Sequence, residues 1–280
     1  MFVAIYGRCA PFVSLWMLGC VVAVDRRQYS ADMNDFPPNS VAEDLRKLVE
    51  ARAANGAPRV ERVETPHGVF WIKRPEILNL RYRLQKGDPR KAFERERLGF
   101  QDLNAADGPA PKLAAEGADF IVLPDCGPDL RYRLLHEEDP AVRRGLLLDA
   151  ARALGRMHAL GFAHGRPSPK DMCRLNGQEL LLDFERYSRH RNTLKGQARD
   201  LVVWAFNVTA HSPQMRADLP EALAAYEAVA PNGVRTAAER LCRRLVWADW
   251  LTKPIQMRRG NKAREFKAIP MVLRLFGARG

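Results

Sequence analysis

The sequence predicts an α+β chain of two lobes about a cleft, strand-rich in its first part and helix-rich in its second. Three observations carry this expectation. The segment "RVERVETPHGVFWIKR" (59–74) reads as two strands around the turn "TPHG", and "ADFIVLP" (118–124) as a buried strand with four apolar residues in succession. The segment "DPAVRRGLLLDAARALGRMHALG" (139–161) reads as a long helix, and the pattern after residue 197 stays helical. A chain of 280 residues, 46% apolar, is long enough to build two lobes with a sizeable core.

Each element follows from its local chemistry. "SVAEDLRKLVEARAANG" (40–56) predicts a short helix, with Ser40 as cap and Gly56 as stop. "DPRKAFERERLGFQDLNAADG" (88–108) predicts a helix capped by Asp88, with Pro89 at its first position, where a missing N–H costs nothing. In the long helix Asp139 and Pro140 mark the start and Gly161 the stop. Val142, Leu146, Ala150, Leu154, Met157 and Leu160 recur at helical spacing and predict one buried face. "ARDLVVWAFNVTA", "EALAAYEAVA" and "AERLCRRLVWADWL" complete the helical part, with Trp204, Trp247 and Trp250 expected in the core. His158 is expected to be packed or at the surface, not a ligand.

Charge and cysteines bound the function. A net charge of +12 favours an acidic partner such as nucleotide, phospholipid, phosphorylated glycolipid or nucleic acid, without choosing among them. The five cysteines form no C-x-x-C pair and lie near no histidine at ligand spacing, which suits reduced thiols and supports no zinc site. Residues 1–32 read either as an apolar leader or as sequence upstream of a true start at Met33. The run "APFVSLWMLGCVVAV" (10–24) is shorter than the ~20 residues that a spanning helix needs. Arg26 and Arg27 after it would keep the main body in the cytoplasm, at most anchored or peripheral at the inner membrane face.

The sharpest local signal is "HGRPSPKDMCRLNGQELLLDFE" (164–185). Asn176-Gly177 predicts a two-residue type I′ turn. Leu175 then pairs with Gln178, and Asp171 falls opposite Leu182. Asp171 and Asp183 emerge together at the open end of the hairpin. Two carboxylates so close repel unless a cation sits between them, and Mg²⁺ is held by one or two carboxylates plus substrate phosphates. The spacing therefore suggests a metal–phosphate site. Two ordinary loop aspartates are the other reading.

This segment resembles the protein kinase-like superfamily, especially small bacterial lipopolysaccharide kinases of the Kdo/WaaP and InaA type. "MHALGFAHGRPSPKDMCRLNGQELLLDFE" is similar to their helix, H-G-D loop, hairpin and D-F-G. The resemblance implies a bilobal kinase-like fold binding ATP and Mg²⁺. His164 stands at the loop histidine, Asp171 at the usual metal-binding asparagine, and Asp183-Phe184 at D-F, with Glu185 in place of the glycine. Lys73 in "GVFWIKR" resembles the ATP-phosphate lysine, and Glu96 its partner glutamate, with Glu94 as fallback. Asp200 resembles the aspartate that braces the loop. No G-x-G-x-x-G is present, and "AANGAP" (53–58) is a poor substitute. The lobes are expected at 33–124 and 125–252, with a basic segment at 253–280.

Arg166 stands where the family has its catalytic aspartate, and a guanidinium stays protonated and cannot serve as base. Three readings follow. In the first, a phosphotransferase uses Asp171 to orient the acceptor, Asp183 for the metal, and Arg166 to neutralise charge on the transferred group, with an envelope glycolipid or lipopolysaccharide as acceptor. In the second, the chain is a pseudokinase that binds nucleotide or a partner without transfer. In the third, it transfers AMP. Residues 253–280 hold eight Lys or Arg and one Glu, with interleaved apolar residues. They suit either an anionic membrane surface or a helix end packed on the larger lobe. No motif supports nucleic-acid binding.

Overall fold

The computed structural model describes residues 39–53, 57–76, 88–258 and 263–278. Residues 1–32, the possible stop at Gly56 and the centre of "AANGAP" lie outside them. The smaller lobe starts with helix α1 (Asn39–Ala53), which opens one residue before Ser40. Four antiparallel strands follow, β1 (Val60–Thr65), β2 (Gly68–Lys73), β3 (Ala115–Gly117) and β4 (Phe120–Pro124), in the order β1-β2-β4-β3. Helix α2 (Pro89–Ala105) lies between β2 and β3 in sequence. Asp88 caps it by accepting from the Arg90 N–H, with Pro89 in its first turn.

Alternation along β2 sorts its side chains to two faces. Phe70 and Ile72 bury against Val41, Leu45 and Val49 of α1. Trp71 and Lys73 take the opposite face, paired in register with Leu123 and Ile121, which belong to the larger core. The two-residue period of one strand thus places Lys73 toward the second lobe.

The larger lobe is helical apart from one hairpin. It comprises α3 (Leu130–His136), α4 (Pro140–Ala159), strands β5 (Met172–Leu175) and β6 (Gln178–Leu181), then α5 (Leu194–His211), α6 (Leu219–Glu227), α7 (Val234–Arg243), α8 (Val246–Gln256) and α9 (Arg264–Leu275). Asp139 caps α4 as expected, and Ala150, Leu154 and Met157 are buried. Val142 and Leu160, placed on the same face by spacing, are exposed because they sit at the helix ends, beyond the packed middle. His158 is fully buried and hydrogen-bonds the Tyr226 hydroxyl at 2.6 Å. The hairpin has the expected register, Leu175 with Gln178 and Met172 with Leu181. Asn176 and Gly177 both take positive φ, 49° and 78°, as a type I′ turn requires.

One expectation for the C-terminal part is corrected, and one pair of alternatives is narrowed. Trp204 is buried, but Trp247 and Trp250 on α8 are exposed, because α8 turns Ala248 and Thr252 inward instead. Of the two readings of the tail, packing on the larger lobe is the one seen for Ala268, Val272, Leu273 and Phe276 of α9 and its cap, which are buried in the main core. Cys126, Cys173 and Cys242 are buried free thiols. Among the described residues no helix is long and apolar enough to cross a membrane.

Candidate functional site

The site is assembled from β2, α2 and the hairpin with its flanking loops. Lys73 ends β2, and its Nζ donates to Glu96 Oε1 at 2.6 Å. Glu96 is buried on α2, on the same face as Phe100 and Leu103. Burial alone would lower the Lys73 ammonium, but the charges of Glu96, Asp183 and Glu185 outweigh it and raise the group to about 12. Lys73 is therefore a fixed cation. Burial pushes the Glu96 carboxyl up to about 7 against the pull of Lys73.

The loop before the hairpin is held by its backbone. Asp200 on α5 accepts from the His164 N–H at 2.5 Å and the Gly165 N–H at 3.0 Å. His164 donates from Nε2 to the Leu182 carbonyl at 2.8 Å, which assigns the proton to that nitrogen. Burial lowers its pKa, so the ring is neutral. The His164 ring lies tilted at 43° against Phe184, centroids 4.9 Å apart, and Phe184 meets Phe100 edge-on at 4.9 Å. A chain of rings thus links the loop to α2. Gly99 permits the approach, since a Cβ there would lie 2.6 Å from the Cβ of Phe184.

The hairpin brings the two aspartates together. Leu182 N–H donates to the Asp171 carbonyl at 2.8 Å, extending the ladder to the open end. Burial, then the charge of Asp183, push the Asp171 carboxyl well above the usual range, against Lys170 and Arg166. Burial would raise Asp183 too, but Lys73, then Arg166 and Lys170, hold it below that range. Asp183 has φ of 61°, uncommon for a residue with a side chain and characteristic of constrained sites. Asp171 Oδ2 and Asp183 Oδ1 are buried without hydrogen-bond partners. Among the described residues no group of three or more His, Cys, Asp or Glu is arranged to hold a metal. Two carboxylates with unpartnered oxygens fit Mg²⁺, which keeps waters and substrate phosphates for its other positions.

Arg166 lies with Nη2 3.6 Å from Asp183 Oδ2 and is partly exposed. Lys170 Nζ stands 3.5 Å from Asp171 Oδ1. The structure therefore gathers Lys73, Glu96, His164, Arg166, Asp171 and Asp183, all named from sequence, into one electrostatically linked cluster. Glu94, the fallback, instead pairs with Arg97 on the exposed side of α2.

Sequence reasoning missed the contacts of Glu185. It reaches 3.8 Å from Lys73 and 2.6 Å from Arg59, so the residue replacing glycine adds a charge to the site. Its identity was visible, but its reach to Arg59 was not. Trp71 was missed as well. It shares the face of Lys73, and its Nε1 donates to Asp125 in the interlobe linker at 3.2 Å. The i, i+2 spacing to Lys73 carried that signal.

The order of elements, the buried Lys73–Glu96 pair, and the loop–hairpin–aspartate segment braced by α5 constitute a bilobal protein kinase-like fold. No family model matches the sequence. An uncharacterized protein of Haemophilus influenzae is 31% identical over 134 residues, 48% of this chain and 55% of that protein. The chain thus spans about half the length of the curated relative it matches. Similar solved structures include a divergent kinase lacking the glycine-rich loop that regulates membrane ultrastructure of the Toxoplasma parasitophorous vacuole. It shows 14% identity over 82% of this chain and 91% of that one, with a TM-score of 0.39. The PknI kinase domain of Mycobacterium tuberculosis shows 17% identity over 65% and 88%, with a TM-score of 0.36. Overlaps this loose carry no detail of chemistry to this chain.

Proposed function

We propose that the protein is an ATP-dependent phosphotransferase whose acceptor is a hydroxyl of an envelope glycolipid such as lipopolysaccharide. The observation that carries the reading is the buried Lys73–Glu96 pair next to two aspartates with unpartnered buried oxygens. In this reading Lys73 holds nucleotide phosphates, and Glu96 fixes its ammonium. Asp171 and Asp183 hold Mg²⁺, which when bound neutralises phosphate charge. The acceptor oxygen attacks the γ-phosphorus, the O–P bond to the β-phosphate breaks, and ADP leaves. Asp171 orients the hydroxyl through the carboxylate oxygen that the metal leaves free and receives its proton there. Arg166 faces the charge that develops on the transferred group. His164 is a positioning residue, because its Nε2 is bonded to a backbone carbonyl.

A specific observation favours a second reading, a pseudokinase. Arg166 already lies against Asp183, and Glu185 against Lys73, so the site carries internal counter-ions. Nucleotide binding with and without Mg²⁺, followed by transfer of labelled γ-phosphate onto envelope and cytosolic extracts, separates the two. Label appearing in a lipid-extractable acceptor supports the first reading. Binding without any transfer supports the second.

A further inference from the structure

Among the described residues, helix α8 leaves its outer face unpartnered. Trp247 is 45% exposed, Trp250 74%, Leu251 52% and Met257, at the end of the helix, 84%. Pro254 is exposed as well. Residues 247, 250, 251 and 254 fall within an arc of about 100° on one side of an α-helix. Ala248 and Thr252, on the other side, are buried. Large exposed apolar stripes of this kind mark interaction surfaces, since single exposed residues are ordinary but contiguous ones are not.

The surrounding charge names the partner. Arg240, Arg243 and Arg244 at the end of α7, Lys253 on α8 and Arg258 after it are exposed. The carboxylates of this stretch have partners: Glu239 pairs with Arg235 at 3.2 Å, and Asp249 accepts from Gln256 at 2.9 Å. Five exposed cations, on the helix or beside it in sequence, complement anionic headgroups over acyl chains. A second copy of the chain would bring the same cations against each other across a two-fold contact. Tryptophan suits the boundary, with an apolar ring below and an N–H at the headgroup level.

We propose that the outer face of α8 docks the protein on an anionic lipid bilayer, with Trp247, Trp250, Leu251 and Met257 entering the interface and the flanking cations on the headgroups. This names a surface and partner consistent with the glycolipid reading above. Its readout is lipid binding, so failure of transfer and failure of docking are separate results.

The test is co-sedimentation of the full chain with phosphatidylglycerol–phosphatidylcholine vesicles and with phosphatidylcholine vesicles alone. The variants are Trp250→Ser/Met257→Ser and Lys253→Gln/Arg258→Gln, each checked for an unchanged melting temperature. All four positions are exposed, so the fold is expected to survive. Binding is expected on the anionic vesicles and not on the neutral ones. The apolar pair should lose about tenfold in affinity per large side chain that inserts. The charge pair should lose about fivefold per cation, and half-molar salt should release the wild type. The proposal is overturned by absence of binding to anionic vesicles or by equal binding of the Trp250→Ser/Met257→Ser variant, which would put attachment elsewhere in the chain. A concentration-dependent dimer broken by that variant would overturn it too.

Discussion

At the residue scale the two aspartates have opposite electrostatic environments, and this gives signed predictions. Asp171 holds its proton more tightly in the folded protein than in the unfolded chain, so it binds more protons when folded. Stability then falls as pH rises from the ordinary carboxylate range through the raised folded value. Asp171→Asn should raise Tm at neutral pH and change it little near pH 4, as differential scanning fluorimetry across pH would show. The same proton would compete with Mg²⁺ at the proposed site. Metal-dependent nucleotide affinity should therefore weaken as pH drops, starting above the usual carboxylate range, and the Asn variant should lose that dependence in isothermal titration. Lys73→Met removes the partner of a buried carboxylate. Breaking a fully charged buried pair costs ~3–5 kcal/mol. Glu96, already pushed up by burial, can take up a proton instead, so urea denaturation should show a loss of about 2–3 kcal/mol.

At the element scale the site depends on α2 being pressed onto the segment after Asp183. Gly99 allows Phe184 to approach, and Asp102 farther along α2 accepts from the Tyr187 hydroxyl at 2.7 Å and from Arg189 at 2.6 and 2.8 Å. Arg189, then the Tyr187 hydroxyl, hold the Asp102 carboxyl low despite some burial. Gly99→Ala should cost about 1–3 kcal/mol by overpacking and should shift Glu96 away from Lys73. Chemical denaturation and nucleotide affinity would show both. The hairpin was legible residue by residue, because Asn-Gly fixes register and register fixes which aspartates meet. The Lys73–Glu96 pair was legible through strand and helix periodicity joined to a family resemblance. What stayed hidden were contacts between distant segments, such as Arg59 with Glu185 and the buried Arg133–Glu179 pair at 2.6 Å. Neither has a local pattern, since tertiary packing alone brings them together. Helix α8 was misread for the converse reason: its tryptophans have core-like spacing, and amphipathicity does not tell an inward stripe from an outward one.

At the scale of the whole molecule, the C-terminal helix joins the core of the larger lobe. Val272, Leu273 and Phe276 belong to the hydrophobic cluster of the larger lobe, where α9 packs against α5, α7 and α8. Three such side chains contribute ~1.5–3 kcal/mol each, comparable with the ~5–15 kcal/mol that holds a domain together. A chain ending at Arg258 keeps α8 but should unfold or aggregate, with loss of the cooperative thermal transition. A stable truncated protein with an unchanged Tm would show that α9 is dispensable.

In the proposed site Asp183 and Asp171 hold a metal against nucleotide phosphates anchored by Lys73. The most direct measurement is calorimetric titration of ATP into the wild type and into Asp183→Ala, each with and without Mg²⁺. Binding in the wild type is expected to strengthen at least about tenfold with Mg²⁺, an increment of about 1.4 kcal/mol or more, with no such strengthening in the variant. Equal affinity in all four titrations, or Mg²⁺-dependent binding that survives the loss of Asp183, would contradict it.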